Sequence, residues 1–342
     1  MPADYNCGHT VAMVCRAITT TFDNNITMES ELDIDIARTC WFLTGATASG
    51  KSSVSLQLAE RLDAEILSLD SMAVYRGMDI GTAKPTQAER EQWPHHLIDL
   101  RDPNETFSTS QYREAALERI AEILSRGKSV LFVGGTALYL KAMLRGMFQG
   151  PPADWDFRNK IEKEIAESGG ELLHERLLMV DPVAAHNIHP NDHRRIIRAL
   201  EVFSSTGKPI SHWQMEFDNP TPAEQCKVFA IRHPREILHQ RIEQRVGQMF
   251  DSGLVDEVKS LLETYGSLGQ TAAQAVGYRE VIEHLNGEHS EAETHERVLV
   301  RTRKFARHQE TWFRNLSECR WVELDTDWSA ESVVETICEL GS

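Results

Sequence analysis

The stretch CWFLTGATASGKSSVSLQLAERL (40–62) decides the fold. An apolar run, CWFLT (40–44), is followed by GATASGKS (45–52), which fits the pattern G-x-x-x-x-G-K-[ST]. The next residues place Val54, Leu58 and Leu62 on one face of a helix. A strand, a glycine-rich turn and a helix in this order indicate a P-loop, in which backbone amides surround a phosphate group.

Each residue type in this loop suits the binding of a diphosphate. The glycines let backbone N–H groups approach the phosphates, Lys51 adds a point charge, and the Ser52 hydroxyl is a suitable ligand for Mg²⁺. We therefore expect Mg²⁺ as the cofactor, with Ser52 as its protein ligand. The predicted diphosphate-binding residues are Gly45, Ala46, Thr47, Ala48, Ser49, Gly50, Lys51 and Ser52.

Short apolar runs alternate with helical patterns along much of the chain. This alternation predicts right-handed crossovers and an α/β fold with a mostly parallel sheet. Strand signals stop at about residue 151, and charged helical patterns continue to about residue 222, so we expect a helical insertion there. The core would comprise residues 39–150 and 223–342. The further predicted strands are EILSL (65–69), SVLFV (129–133), KVFAI (227–231) and WVEL (321–324).

The first 38 residues show no clear period and carry six acidic residues against two arginines. We expect a loose, disordered extension at residues 1–38. The composition, 41% hydrophobic and 26% charged, is that of an ordinary globular protein. No stretch approaches the roughly 20 apolar residues of a membrane helix, so we expect a cytoplasmic protein with no membrane partner. The six cysteines form no CxxC pair, which argues against a zinc ribbon or a disulfide framework.

The formal charge of −16 excludes a uniformly basic surface but not a local basic face. Two basic clusters stand out, HRRIIR (193–198) and RTRKFARHQETWFR (301–314). Each could bind nucleic acid or could form a solvated helix face, and composition alone does not separate these alternatives.

Polar residues follow the predicted strands where ligands bind in open α/β sheets, at the carboxyl ends. Asp70 follows the second strand, so we expect it to face the crevice beside the P-loop, unless it only caps a following helix. Gly134, Gly135 and Thr136 follow the third strand. That strand lacks the terminal acid that usually holds magnesium in motor ATPases and GTPases, which argues against those classes.

Six further segments matter beside the P-loop: DSMAVYRGMDIGTAKP (70–85), GGTALYLKA (134–142), HPNDHRRIIRALEVF (189–203), LHQRIEQR (238–245), VGYRE (276–280) and TRKFARHQETWFR (302–314). Together these segments resemble the bacterial tRNA dimethylallyltransferases over about residues 40–325. Two departures are that Ala46 stands where the family usually has proline and Ser52 where it usually has threonine. Both keep the phosphate donors and the metal-binding hydroxyl.

The resemblance implies a P-loop-kinase-like fold and a prenyl transfer reaction. Such enzymes transfer the dimethylallyl group of dimethylallyl diphosphate to N6 of the adenosine 3′ to the anticodon, position 37 of tRNA, and release diphosphate. The resemblance assigns the role of base to Asp70 and places Thr47 and Arg245 against the oxygen that bridges carbon and phosphorus. Without the resemblance, the sequence favours the interpretation of Arg245 as one more exposed helix arginine.

The resemblance also implies contacts to the anticodon stem-loop of tRNA, in a protein we expect to be monomeric. His193 and Arg194 replace the more usual proline and glutamine, so the roles within that cluster differ from the family pattern. The implied tRNA-binding residues are Asp70, Ser71, Met72, Ala73, Thr136, Arg158, Arg194, Arg195, Ile196, Ile197, Arg198, Gln274, Ala275, Val276, Gly277, Tyr278 and Arg279.

Three other interpretations stay open at this point. An adenylate isopentenyltransferase would use a free nucleotide as acceptor, but the long insertion and the two basic clusters favour tRNA. A P-loop small-molecule kinase would share the P-loop and the acid after the second strand. A non-catalytic RNA-binding protein would not need Lys51, Ser52 and Asp70 together.

Overall fold

A computed structural model of the chain describes residues 26–147, 150–214 and 220–342. It divides into two compact units, the described parts of Met1–Leu144 with Pro220–Ser342 and of Arg145–Asn219. The sequence predicted the insertion at 151–222, within a few residues of this division. No helix among the described residues is long and apolar enough to cross a membrane.

Six strands in the described residues form one parallel sheet in the order β3-β2-β4-β1-β5-β6. The expectation of an α/β fold with a parallel sheet is confirmed. Their bounds are β1 Trp41–Gly45, β2 Ala64–Ser68, β3 His95–His96, β4 Ser129–Val133, β5 Lys227–Arg232 and β6 Cys319–Glu323.

The helices account for most of the rest of the described chain. A 3₁₀ turn, Ala223–Gln225, precedes β5. In chain order the helices are α1 Ile26–Thr39, α2 Lys51–Leu62, α3 Gln87–Gln92, α4 Thr109–Ser125, α5 Ala137–Arg145, α6 Trp155–Ser168, α7 Glu171–Val180, α8 Pro182–Asn187, α9 His193–Thr206, α10 Ile210–Gln214, α11 Arg235–Asp251, α12 Leu254–Tyr265, α13 Gln270–Ala273, α14 Tyr278–Leu285, α15 Glu291–Arg314 and α16 Ala330–Gly341.

The sheet is buried on both faces, which explains why its central strands read as continuous apolar runs. Alternate residues of β1 point to opposite faces of the sheet and pack into different hydrophobic cores. Phe42 packs with α4 and α5, and its ring stacks on Phe132 of β4 with centroids 4.7 Å apart. Trp41 and Leu43 pack instead with α2 and α16. Both sheet faces are thus covered by helices, and the carboxyl edge of the sheet is left for ligands.

Two expectations need correction. The sequence predicted five strands, and the structure adds β3, whose two residues are too few to show a period. The expected loose extension at 1–38 is wrong for its last part, since α1 spans Ile26–Thr39, Ala37 is buried and Asp33 pairs with Arg113 at 3.3 Å. Residues 1–25 lie outside the described residues, so that part of the expectation stays a prediction.

The helical unit has a core of its own, built by its five helices. The apolar stripe of α9 is central to it, with Ile196 and Ile197 buried. Asp181 is also buried, where its carboxylate accepts hydrogen bonds from the backbone N–H groups of Ala184 and Ser211 at 2.9 Å each. This carboxylate caps α8 and holds the start of α10 to it.

Candidate active site at the carboxyl edge of the sheet

The P-loop turns sharply between β1 and α2, and its backbone requires glycine at Gly45. Gly45 has φ +139°, and a Cβ there would lie 2.5 Å from the carbonyl oxygen of Ile231. Gly50 has φ +92° and immediately precedes α2. The positive end of this helix therefore meets the loop, an arrangement that favours an anion at this position.

Lys51 points back over the loop. Its Nζ donates to the carbonyl oxygens of Gly45 at 3.0 Å and Ala46 at 2.7 Å. Burial and, to a smaller extent, the charge of Arg245 lower the pKa of Lys51 to about 7, although the carboxylate of Asp70 opposes the shift. The ammonium is thus destabilised by its surroundings and would gain from the arrival of an anion.

One cavity of about 1190 Å³ lies at this edge of the sheet and contains most of the predicted site. It brings together predicted residues from five regions of the chain. Gly45 and Ala46 do not line it, because both are buried beneath the loop. The predicted residues that line it are Thr47, Ala48, Ser49, Gly50, Lys51, Ser52, Asp70, Ser71, Met72, Ala73, Thr136, Arg245, Gln274, Ala275, Val276, Tyr278 and Arg279.

Asp70 lies just beyond β2 and faces this cavity, as the sequence predicted. Its Oδ1 accepts a hydrogen bond from the backbone N–H of Met72 at 2.8 Å. The side chain therefore stabilises a turn, and no helix follows directly for it to cap. Within the part of the chain that the structure describes, no donor binds its Oδ2, which is therefore available to another partner.

Arg245 is partly buried and lines the cavity, so it is not the exposed helix arginine that the sequence left as an alternative. Burial lowers the pKa of Arg245, and the carboxylate of Asp70 opposes the shift. Two cations, Lys51 and Arg245, therefore act on the same carboxylate. This arrangement can hold a diphosphate beside a group able to accept a proton.

Thr136 lies next to the Asp70 turn. Its Oγ1 accepts a hydrogen bond from the backbone N–H of Ser71 at 3.0 Å. Gly134 is required here, because a Cβ would lie 2.3 Å from the carbonyl oxygen of Leu69. The loop after β4 and the turn after β2 thus form one wall of the cavity.

The predicted segment 274–279 has two kinds of residue. Gln274 and Arg279 are exposed, and Arg279 pairs with Glu283 at 2.8 Å. Tyr278 is fully buried, and its hydroxyl donates to Glu257 at 2.6 Å. Gly277 is buried and does not line the cavity. Of the residues named here, only Gln274 and Arg279 have side chains that a macromolecular partner could contact.

Glu257 and Lys84 hold together the family-like segment 70–85. Glu257 accepts hydrogen bonds from the backbone N–H groups of Asp79 at 2.9 Å and Ile80 at 2.7 Å. The Nζ of Lys84, whose side chain is 1% exposed, binds Asp79 at 2.8 Å and Asp99 at 2.6 Å. These hydrogen bonds and ion pairs therefore fix the shape of a segment that forms part of the cavity wall.

In the helical unit, the predicted tRNA-binding arginines fall into two groups. Arg158 binds both carboxylate oxygens of the fully buried Glu201 at 2.8 Å, and Arg198 binds the same carboxylate at 2.5 Å. Burial raises the pKa of Glu201, but the hydrogen bonds from the two arginines outweigh this and lower it. Arg194 and Arg195 are exposed. Arg198 is thus engaged by a carboxylate whereas Arg194 and Arg195 are not buried, and the expectation that all three contact phosphates stays a prediction.

Ile196 and Ile197 were predicted among the tRNA-binding residues, yet their side chains are buried in the core of the helical unit. They can support the helix that carries Arg194 and Arg195, but their side chains do not reach its surface. An apolar i, i+1 pair within a basic helix was the sequence signal for this burial.

Two residues at the P-loop were not singled out from the sequence. Gln309 of α15 accepts a hydrogen bond from the backbone N–H of Thr47 at 2.8 Å and donates to the carbonyl of Gly135 at 2.9 Å. Arg241 of α11 donates from Nε to the carbonyl of Ala48 at 2.8 Å. Both lie in family-like segments, and Arg241 precedes Arg245 by one helical turn, which places both on one face.

Known proteins share this fold and sequence over nearly the whole chain. The tRNA dimethylallyltransferase of Rhodopirellula baltica is 49% identical, over 86% of this chain and 93% of its own. That of Geobacter metallireducens is 45% identical, over 86% and 94%. The full-length tRNA isopentenylpyrophosphate transferase of Bacillus halodurans aligns with a TM-score of 0.63 and 37% identity, over 89% of this chain and 96% of its own.

A eukaryotic dimethylallyltransferase that acts on tRNA aligns with a TM-score of 0.73 and 26% identity, over 87% of this chain and 77% of its own. The IPP transferase family model matches residues 73–316, which include most of the segment 70–85, the helical unit and most of the helical wall of the cavity. Because this match covers most of the chain, and relatives exceed 40% identity over most of both sequences, the chain belongs to the IPP transferase family.

Proposed function

We propose that this protein transfers the dimethylallyl group of dimethylallyl diphosphate to N6 of adenosine 37 in tRNA. The observation that carries the proposal is the single cavity lined by the P-loop, Asp70 and Arg245. A diphosphate site and a candidate base face the same space, and curated relatives at 41–49% identity bear the name of this activity.

The P-loop here would hold a leaving group. The loop amides, Lys51 and Arg245 stabilise negative charge that grows on the diphosphate as the carbon–oxygen bond breaks. Thr47 lines the cavity beside them and is available to the bridging oxygen. Because this stabilisation increases towards the transition state, it raises the rate and not only the affinity.

Asp70 would serve as the base. The N6 lone pair of adenine is delocalised into the ring, so attack on carbon is assisted when the N6 proton is removed. As the bond between N6 and the dimethylallyl carbon forms, the proton passes to the Asp70 carboxylate and diphosphate departs with the electron pair of the broken bond. The hydrogen bond from Met72 uses Oδ1, which leaves Oδ2 for N6.

Magnesium fits the residues present. Ser52 is exposed at the start of α2 and lines the cavity, where a hard oxygen ligand suits Mg²⁺. A bound Mg²⁺ would neutralise charge on the departing diphosphate. Ser52 would supply its protein ligand.

The acceptor would be an adenine extruded from the anticodon loop, since a base within a stack cannot reach a cavity. Gln274 and Arg279 lie exposed at the cavity wall, and Arg194 and Arg195 are exposed on the helical unit. These residues offer contacts to the phosphates and bases of the anticodon stem-loop.

One assay tests the proposal. The protein is incubated with Mg²⁺, labelled dimethylallyl diphosphate and unmodified tRNA, and parallel reactions contain AMP or ATP in place of tRNA. We expect label in tRNA, at N6 of adenosine 37 after digestion, and none with Lys51→Ala. Label only in the free nucleotides would indicate an adenylate isopentenyltransferase, and ATP turnover without label transfer would indicate a kinase.

A further inference from the structure

Two side chains that the proposed mechanism does not use pack against the P-loop. Trp328, between β6 and α16, lies so close that a Cβ on Gly50 would be 2.8 Å from its ring. The Arg241 guanidinium carbon lies 5.6 Å from the centroid of the same ring, within the range of a cation–π contact. The ring therefore contacts both the loop and the arginine.

The backbone of the P-loop is strained at Ala48. Ala48 has φ +63°, a left-handed conformation that is unfavourable for an L-residue with a Cβ. Its carbonyl accepts the hydrogen bond from Nε of Arg241 at 2.8 Å. Arg241 thus stabilises the strained peptide, and Trp328 limits where the guanidinium can lie.

The guanidinium of Arg241 has two Nη groups that are available as hydrogen-bond donors. Its Nε is occupied by Ala48, whereas within residues 26–147, 150–214 and 220–342 no carboxylate pairs with Arg241 and no acceptor binds its two Nη groups. Arg241 lines the same cavity as Lys51 and Ser52. A planar guanidinium with two such Nη groups matches the oxygens of a phosphate.

A second side chain besides Arg241 packs against the ring of Trp328. His233, buried at the end of β5, packs edge-on against the ring with centroids 5.5 Å apart. Burial lowers the pKa of His233, and the charge of Arg241 lowers it further. The protonated form of His233 is thus disfavoured beside Arg241, and the His233 ring packs as a support for Trp328.

We propose that Arg241 is a further diphosphate-binding residue of this site and that Trp328 is the residue that positions it. The Nη groups of Arg241 donate to oxygens of the diphosphate, while Nε holds the loop. The identity of the ligand as dimethylallyl diphosphate rests on the proposed function. Trp328 lies beyond residues 73–316, the part that the family model matches.

The first test measures binding of inorganic diphosphate to the full chain by calorimetry in the presence of Mg²⁺. Arg241→Gln should weaken binding by about 10- to 100-fold, the worth of hydrogen bonds between charged groups. Arg235→Gln, an exposed arginine at the start of the same helix, removes the same charge and should bind like the unaltered protein. Arg241→Lys, which keeps the charge without the fork, should fall between them.

The second test separates positioning from general stability. Trp328→Leu should raise KM for dimethylallyl diphosphate by about 3- to 10-fold, in line with removal of a cation–π interaction, with KM for tRNA and the melting temperature little changed. Trp328→Phe keeps an aromatic face and should restore most of the affinity. Equal changes in both KM values would overturn the positioning role.

The outcomes also separate this inference from the proposed function. Diphosphate binding that depends on Arg241, in a protein that transfers no prenyl group, would support the inference and overturn the function. Prenyl transfer to tRNA with diphosphate binding equally strong in Arg241→Gln and Arg235→Gln would overturn the inference alone.

Discussion

The side chain of Gln309 binds the backbone N–H of Thr47 through Oε1 at 2.8 Å, although the two residues lie 262 positions apart. The same amide donates to the carbonyl of Gly135 at 2.9 Å. Gln309 therefore joins the P-loop to the loop after β4 through one buried side chain. The Thr47 amide is engaged by Gln309, so the shape of the loop depends on α15.

We expect Gln309→Leu to lower the free energy of unfolding by about 1–3 kcal/mol for each polar group left unpaired. KM for dimethylallyl diphosphate should rise as well, because the Thr47 peptide loses its support. Urea unfolding and steady-state kinetics measure the two effects. Gln240→Leu, the same change at an exposed position, is the control. Identical behaviour of the two variants would show that the bridge contributes nothing.

Lys51 should make stability depend on pH in a defined window. Its pKa is about 7 in the folded protein, against 10.5 for an ordinary lysine, so between these values the unfolded chain binds the extra proton. The free energy of unfolding should therefore be highest, as far as Lys51 determines it, above pH 10.5. It should decrease as the pH falls to 7, because the folded protein disfavours the protonated lysine. Relative to Lys51→Met, the unaltered protein should therefore gain stability between pH 7 and 10. Denaturant unfolding at several pH values measures this, and parallel profiles would contradict it.

Asp70→Asn should leave binding and folding almost unchanged but slow the reaction. Asparagine can still accept the hydrogen bond from Met72, whereas the basic carboxylate is gone. Turnover should fall by about 10²- to 10⁴-fold, the usual contribution of a general base. Single-turnover rates with saturating tRNA, measured beside a thermal melt, test this. A rate near that of the unaltered protein would remove Asp70 from the mechanism.

The double variant Arg194→Ala, Arg195→Ala should weaken tRNA binding without loss of stability. Both side chains are exposed, and the pair of Arg195 with Asp192 at 3.5 Å is a surface interaction of little worth. The slope of log affinity against log salt should decrease by about 0.7–0.9 for each phosphate that the variant no longer neutralises. Lys160→Ala with Lys163→Ala, exposed in the same unit, is the control. An unaltered slope would leave Arg194 and Arg195 as solvated residues.

Arg158→Ala should act on stability instead. It leaves the buried Glu201 with Arg198 as its remaining charged partner. We expect a loss near the lower end of the about 3–5 kcal/mol that follows when a buried pair is broken. Hydrogen exchange of α6 and α9 localises the loss. If hydrogen-exchange protection equals that of the unaltered protein and tRNA binding is weaker, Arg158 is an RNA-binding residue and not a stabilising one.

The sequence by itself determined the P-loop, the parallel sheet and the place of Asp70. These features depend on local patterns: an apolar strand, a turn that needs glycine, a helical face, and the rule that ligands meet the carboxyl ends of strands. It also determined the family, through motifs that the comparisons confirm.

The tertiary structure decided which partners the polar side chains of those motifs have. The resemblance implies that Arg158 and Arg198 bind tRNA, and in the structure both form ion pairs with Glu201. Glu201 is 43 residues from Arg158 and 3 residues from Arg198. The strand β3 is too short to have a period, and the support that Arg241 gives Ala48 spans 193 residues. A periodic pattern encodes which face is buried, whereas the partner of a polar side chain depends on which distant segments the fold brings within hydrogen-bond distance.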